Sequence, residues 1–149
     1  MKIREATLED ADALIEFNQA MALETEGIRL DPEKISAGVR AVFEGDRRGF
    51  YLVAEEAGEI VGGLMVTYEW SDWRNAWFWW IQSVYVVPEA RGKQLYAAMY
   101  GRVKEMAAAK GDVCGFRLYV ERENERAQRV YKKVGMTASH YVMFEEVVV

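Results

Sequence analysis

The pattern of hydrophobic and polar positions predicts one strand and two helices in the first third of the chain. Lys2 to Ala6 is typical of a short strand, and Thr7-Leu8-Glu9-Asp10 has the form of a capping box that opens a helix. Asp31-Pro32 predicts a second helix start, an N-cap followed by proline, with that helix ending before Gly45. Between the helices, ETEGIR is predicted to be a polar loop. Residues at helical spacing are Ala11, Leu14, Ile15, Asn18 and Met21 in the first helix, and Ile35, Val39, Val42 and Phe43 in the second.

From Phe50 the pattern changes to extended structure. The segment FYLVAE, a turn at residues 56–59, and the segment IVGGLMVTYE together predict a hairpin. Gly62 and Gly63 inside its second strand indicate a bulge or a close backbone approach. A third strand, AWFWWIQSVYVV, follows a turn near Ser71-Asp72 and ends at Pro88.

The second half alternates helices and strands. Residues 93–110 form the longest helical pattern, residues 114–120 a short strand, residues 125–134 a helix closed by Gly135, and residues 141–149 a final strand. The order β-α-α-β-β-β-α-β-α-β predicts a mixed α/β layer structure, in which a crossover helix makes the two middle strands parallel.

Length and composition limit the classes of protein. A chain of 149 residues is predicted to be a single domain over 1–149, and its 51% hydrophobic residues exclude a disordered tail. No apolar stretch reaches the ~18 residues of a membrane span, and the N-terminus is charged, so we expect a soluble, cytoplasmic protein with no membrane partner. A lone Cys114 and a lone His140 offer neither an internal disulfide nor a metal-ligand cluster.

The net charge of −5 is unevenly distributed along the chain. Residues 1–60 carry 7 Lys and Arg against 14 Asp and Glu, whereas residues 61–149 carry 12 against 10. A nucleic-acid partner usually requires a concentrated basic face, so this balance argues against that class of partner. It leaves room for a local anion site in the second half, and an acidic first part suits a cationic partner.

One junction in the second half has the residues of an anion site. The strand through Val86 is followed by a turn containing Arg91, Gly92 and Lys93, and then by the longest helix. The free N–H groups and positive dipole end of a helix start bind anions, and the two basic side chains add charge beside them.

A second motif, N-x-x-A-x-x-x-Y-x-x-x-G-M, runs from Asn124 to Met136. Together with VYVVPEARGKQL and the order of elements, it resembles the GCN5-related N-acetyltransferase (GNAT) superfamily, whose members transfer an acetyl group from acetyl-CoA to an amine. The resemblance implies an α/β (α+β) GNAT fold. Its central sheet is mixed and mostly antiparallel, flanked by helices, with a splayed pair of parallel strands holding acyl-CoA.

The resemblance also implies which residues bind acetyl-CoA, the only co-substrate expected, with no metal. Main-chain groups of Val84 and Val86 would pair with the pantetheine arm. Gln94 and Tyr96 stand where the family usually has glycines, but both retain backbone N–H groups, and at a helix start their side chains can point outward. The acyl-CoA site is therefore interpreted as altered but retained, with these cofactor-binding residues: Val84, Val86, Arg91, Gly92, Lys93, Gln94, Leu95, Tyr96 and Asn124.

Tyr131 matches the position of the family's usual general acid. Its phenol stays protonated at pH 7 and can therefore donate a proton to a departing thiolate. The general base stays open: Gln82, which does not titrate, stands where many members have a glutamate, and Glu24, Glu26 or Glu69 are the alternatives. His140 is interpreted as structural.

The acceptor side is predicted from aromatic and acidic residues. Five tryptophans lie between residues 70 and 80, and Trp73 with Glu24, Glu26 and Gln82 is predicted to line a pocket for a small cationic amine. For the tryptophans, the alternatives are a hydrophobic core and a subunit contact in a homodimer. For the function, they are a non-catalytic acyl-CoA-binding or regulatory domain and an acetyltransferase of protein lysine or N-terminal amines.

Overall fold

The computed structural model describes all 149 residues and contains a five-stranded sheet with the strands in sequence order. Neighbouring strands are antiparallel except β4 and β5, which are parallel. This mixed sheet with flanking helices confirms the predicted fold class. The strands are β1 (Lys2–Glu5), β2 (Gly49–Glu56), β3 (Glu59–Ser71), β4 (Ala76–Val86) and β5 (Val113–Arg117); the helices are α1 (Ala11–Glu26), α2 (Pro32–Val42), α3 (Leu95–Lys110) and α4 (Glu125–Lys133).

The chain divides into two compact units, residues 1–118 and residues 119–149. The first contains the whole sheet with α1, α2 and α3, and the second contains α4. A single domain over residues 1–149 remains a prediction.

The N-terminal strand and the first helix are joined by one buried carboxylate. The Asp10 side chain accepts hydrogen bonds from the Thr7 backbone N–H at 2.8 Å and from the Arg4 guanidinium at 2.8 and 3.0 Å. Arg4 also donates to Glu55 on β2. The guanidinium of Arg4 holds the pKa of Asp10 below its usual value. The predicted capping box is present, and it opens a short 3-10 turn before α1.

The first helix is longer than the sequence predicts. Glu24, Thr25 and Glu26 lie in its last turn, so the prediction of a polar loop over residues 24–29 was wrong for these three. The helix ends where Gly27 adopts a left-handed conformation with φ of 66°, and the Gly27 N–H donates to Leu23. Polar composition alone does not end a helix, because exposed Glu and Thr are accommodated on its solvent side. By contrast, Asp31 caps α2 as predicted, accepting from Glu33 N–H.

Each face of the sheet is covered by helices. One face packs against α1 and α2 around the cluster of Leu14, Phe17, Val39, Tyr51 and Tyr85. The opposite face includes Trp79, which contacts Phe50 edge to face, and Phe116, which contacts Tyr100 of α3 in the same way.

A close approach and a bulge, the two alternatives predicted for Gly62 and Gly63, are both present. A Cβ at Gly62 would lie 3.0 Å from a Leu95 methyl carbon, and one at Gly63 would lie 3.2 Å from a Leu14 methyl carbon. The β3–β4 register is also interrupted between Gly63 and Met65.

The end of the chain differs most from the sequence-based expectation. β5 ends at Arg117, although a strand through Val120 was predicted. The predicted final strand over residues 141–149 was wrong as well, since no helix or strand is present after α4. Tyr141 to Val149 alternates favourably for a strand, but a strand requires a neighbour in register, and the apolar pattern does not specify one.

Gly49, at the start of β2, is predicted to be required for folding. Its φ is 145°, and a Cβ there would overlap the Val66 carbonyl oxygen. We expect Gly49→Ala to lower the free energy of unfolding by about 3 kcal/mol or more, measured by urea denaturation. Gly101→Ala is the control, because that site lies inside α3 with open space around it and should gain about 0.5–1 kcal/mol. Equal effects of the two variants would contradict this account.

Candidate active site

The central feature of the site is the point where β4 separates from β5. Their pairing ends with Trp80 opposite Arg117, so residues 81–86 have β3 as their only neighbouring strand. Within this stretch β4 has a bulge: Gln82 pairs with Met65 and Tyr85 with Gly63, so Ser83 and Val84 oppose Leu64 alone. Ser83 has a φ of 51°. Backbone groups on the open edge, which includes Val84 and Val86, are therefore available to a ligand, apart from the Val86 carbonyl, which accepts from Arg91.

The turn between β4 and α3 leads directly from this open edge to a helix start. Gly92 and Gln94 both have left-handed conformations, with φ of 80° and 60°, and α3 begins at Leu95. The first N–H groups of a helix lack intrahelical partners, so the turn and helix start have the features expected of an anion site, next to exposed Lys93 and Gln94.

The two residues at the family's glycine positions behave differently. The Gln94 side chain is exposed, as expected, and its backbone takes a conformation that glycine adopts more easily. Tyr96 is buried and stacks on Tyr100 with ring centroids 5.9 Å apart, so the expectation that it points outward was wrong. Leu95 is also buried. The inward position of Tyr96 follows from Tyr100, which lies one turn later on the same face of α3.

The Arg91 side chain contacts two residues of β4 and one residue of α1. Its Nε donates to the Val86 carbonyl at 2.9 Å, its Nη2 donates to Glu24 Oε2 at 2.9 Å, and its guanidinium lies 5.4 Å from the Tyr85 ring centroid. The Tyr85 hydroxyl donates to the other oxygen of Glu24 at 3.2 Å. Burial and the Glu24 carboxylate raise the pKa of Tyr85. Two of the five guanidinium N–H donors are thus used to position Arg91, which leaves the others for an anion.

The predicted acceptor residues do not all come together. Glu24 contacts Tyr85 near the end of β4, and Glu26 follows it on α1 with an exposed side chain. Trp73 lies in the β3–β4 turn and is 90% exposed. Ala76 and Tyr85 are about 30 Å apart along β4 at ~3.3 Å per residue, so one small pocket does not include both Glu24 and Trp73.

Gln82 lies on the face of β4 that also carries Trp80, because side chains alternate along a strand. Its Nε2 donates to Thr67 Oγ1 at 2.7 Å. Next to this pair, Glu69 Oε1 accepts from Trp80 Nε1 at 2.8 Å and from Arg117 at 2.9 Å. Among the candidate bases, Glu69 is therefore already paired with a guanidinium. Sequence reasoning did not single out Arg117 or Thr67, and cross-strand register was the information it lacked.

In the second unit, Asn124 acts as a helix cap. Its Oδ1 accepts from the Ala127 N–H at 3.1 Å, and the side chain of Gln128 donates to the carbonyls of Glu121 and Arg122, which fixes the preceding loop. Tyr131 follows on α4. Burial raises the pKa of Tyr131, so its hydroxyl stays protonated well above pH 7.

A cleft of about 680 Å³ in the first unit lies away from these residues. It is lined by the loop after α2 and by the C-terminal part of α3, including Asp46, Tyr68, Trp79 and Met106. None of the predicted site residues lines it. Because α3 has 16 residues, the far end of this cleft is on the order of 20 Å from the helix start.

The fold and the open edge define an acetyltransferase, and comparison with known proteins agrees. Residues 12–136 match the Acetyltransferase (GNAT) family, so the chain belongs to this family. A curated relative is the uncharacterized N-acetyltransferase YhfO of Bacillus subtilis (strain 168). It is 28% identical over 136 residues, which are 91% of this chain and 89% of that protein. The resemblance recognised from the two motifs is confirmed.

Solved structures share the fold over nearly the whole chain. One from Clostridium difficile 630, described as a "possible acetyltransferase", is 40% identical with a TM-score of 0.92 and covers 99% of this chain and 97% of its own. A "predicted acetyltransferase with acetyl-CoA" from Clostridium acetobutylicum is 17% identical with a TM-score of 0.80, covering 97% and 95%. No helix of the present chain has the length and apolar character needed to cross a bilayer.

Arg91 and Glu24 provide a test of the site. Arg91→Ala should weaken acetyl-CoA binding about tenfold, because a charge-assisted hydrogen bond to an anion is lost, and should reduce the melting-temperature shift that acetyl-CoA produces. Glu24→Ala should weaken it only a few-fold, since it removes one exposed partner of Arg91.

Glu26→Ala is the matched control, because Glu26 is exposed and adjacent on the same helix. Calorimetric titration of acetyl-CoA into the three variants gives the affinities. If the Arg91→Ala variant binds acetyl-CoA as tightly as the unsubstituted chain, Arg91 does not contribute to acetyl-CoA binding. A rise in the amine KM alone for Glu24→Ala would instead support the predicted contact between Glu24 and the acceptor.

Proposed function

We propose that this protein transfers the acetyl group of acetyl-CoA to the primary amine of a small molecule, and that this amine arrives as an ammonium group. The reaction is direct attack within a ternary complex. The observation that supports it most is the separation of β4 from β5 after Trp80, immediately before the turn that begins α3. Membership of the GNAT family supports the same chemistry.

The residues present fit acetyl-CoA along this edge. When bound, acetyl-CoA supplies an acetyl thioester whose carbonyl carbon accepts the amine. Main-chain groups of Val84 and Val86 would bind the pantetheine arm, and the bulge directs backbone groups of residues 83–84 toward the ligand. The α3 start, with Arg91, Gly92, Lys93 and Gln94, would bind the pyrophosphate.

Proton transfer completes the reaction. The new N–C bond forms as the C–S bond breaks, the ammonium of the acceptor gives up one proton before attack, and the nitrogen gives up a second one after it. The Tyr131 hydroxyl donates one proton to the departing sulfur and takes up the second proton that the nitrogen releases, which restores the phenol. Its raised pKa keeps it protonated for this role. Gln82 does not titrate, and Glu69 is paired with Arg117, so we propose that water relays the amine proton to solvent or to another carboxylate.

Two alternatives from the sequence remain testable. A non-catalytic acyl-CoA-binding domain would bind acetyl-CoA without releasing CoA, and a protein acetyltransferase would prefer peptide amines. Retention of Tyr131 and Asn124 in the motif favours catalysis over binding alone. A cytoplasmic location and a homodimer stay expectations from the sequence.

The direct experiment is to incubate the protein with acetyl-CoA and a panel of amines and to monitor the release of free thiol. Acetylation of at least one amine above the no-amine background supports the proposal. Acetyl-CoA binding without thiol release from any amine or peptide supports the non-catalytic alternative. Absence of binding at millimolar acetyl-CoA overturns both.

Tyr131→Phe tests the assigned acid, because it removes the hydroxyl and keeps the ring. We expect kcat to fall ~10²–10⁴-fold, nearer the lower value because a thiolate leaves fairly well unaided, while acetyl-CoA affinity and melting temperature change little. Tyr119→Phe, another tyrosine of the same unit, is the control. Full activity of Tyr131→Phe on an identified amine would rule out the acid role.

A further inference from the structure

Three strands together form one polar face beside the open edge of β4. Side chains at Phe78, Trp80 and Gln82 alternate onto the same face of the sheet. Register places Glu69 of β3 opposite Phe78, and Arg117 of β5 opposite Trp80. This face contains the candidate acceptor residue Gln82, so it is the surface on which an acceptor would approach residues 82–84.

Two guanidinium groups lie over the Phe78 ring on this face. The Cζ of Arg117 is 3.6 Å from the ring centroid, which is a stacking distance, and the Cζ of Arg74 is 5.1 Å from it. Gly115 makes this arrangement possible, since a Cβ there would lie 2.8 Å from Phe78. The Arg74 backbone N–H donates to Ser71 Oγ at 3.3 Å, which holds the β3–β4 turn in place. A guanidinium over a ring keeps its in-plane N–H donors available at its edge.

Only one of the two guanidinium groups forms an ion pair. Glu69 is the only carboxylate that pairs with Arg117, and one of its oxygens already accepts from both Arg117 and Trp80. Arg74 takes part in no salt bridge, although Asp72 lies in the same turn. Beside Phe78 the guanidinium of Arg74 consequently has no ion-pair partner. A second cation is disfavoured there, whereas one carboxylate would balance the charge and bind the guanidinium edges with two parallel hydrogen bonds.

Strand geometry sets the spacing between this charge and the reacting amine. Phe78 and Ser83 are five residues apart on β4, about 16 Å at ~3.3 Å per residue. Arg117 is in register with Trp80, which is three residues from Ser83, or about 10 Å at the same rise, so the two groups of an acceptor would be about 10–16 Å apart.

We infer that the acceptor is an amine that also carries a carboxylate at its far end, and that Arg74 and Arg117 bind this carboxylate. The inference rests on the proposed function, because it places the amine at the open edge of β4. It replaces a purely cationic acceptor, such as a diamine, with a zwitterionic one.

The kinetic test compares three acceptors of equal length: 8-aminooctanoate, octylamine and 1,8-diaminooctane. We expect kcat/KM to be at least tenfold higher for 8-aminooctanoate than for octylamine, and lowest for the diamine, which brings a second cation to Arg74. Arg74→Gln and Arg117→Gln should each remove about tenfold of that preference and leave the acetyl-CoA affinity unchanged. Arg102→Gln is the control, an exposed arginine of α3 paired with Glu105.

We expect the Arg74→Gln variant to fold normally, because the Arg74 side chain is exposed and forms no ion pair. A preference for the diamine, or a preference for 8-aminooctanoate that survives both substitutions, overturns the inference. A second measurement does not depend on turnover: calorimetric titration of octanoate, which lacks the amine. If octanoate binds the unsubstituted chain and this binding is lost in the Arg74→Gln, Arg117→Gln double variant, the inference is supported even if no amine is acetylated. If no amine is acetylated and octanoate does not bind the unsubstituted chain, the inference is overturned.

Discussion

The bulge at Ser83 and Val84 is the constraint on which the rest of the site depends. It adds one residue to β4 without a partner on β3, and beyond it β5 no longer follows β4. The extra residue also changes which side chains face each layer. Phe78, Trp80 and Gln82 share a face before the bulge, and after it Tyr85 enters the core beneath α1 and α2. The bulge therefore lies within the open edge, between the polar face and the residues that position Arg91.

Local patterns predicted most of the fold because each element carried its own signals. Helical spacing, the Asp31 cap and the two-residue turn of the β2–β3 hairpin were enough to position α1 to α3 and β1 to β4 within a few residues. The errors had one local cause and one cause that depends on contacts distant in sequence. The end of α1 was determined by Gly27 rather than by polarity, and the apolar C-terminal residues did not become a strand because alternation does not supply a partner.

The candidate site was predictable to the extent that it lies on contiguous motifs. The Arg91 turn was located from the sequence, and the structure adds that Arg91 is positioned by Glu24 and Tyr85, from other parts of the chain. Glu24 was assigned to the acceptor because it is acidic, whereas its observed neighbours are the groups expected around acetyl-CoA. Pairs such as Arg117 with Glu69 and Gln82 with Thr67 depend on strand register, which single-sequence reasoning does not provide.

The left-handed backbone of Gln94 affects the entropic cost of binding the co-substrate. A residue with a side chain adopts this conformation at a cost of about 1 kcal/mol or more, so the surrounding structure must already impose it. A glycine at the same position would sample many more conformations in the free protein and would lose that freedom on ligand binding. The glutamine thus shifts part of the entropic cost of ordering the turn over residues 91–94 from the binding step to the folding step.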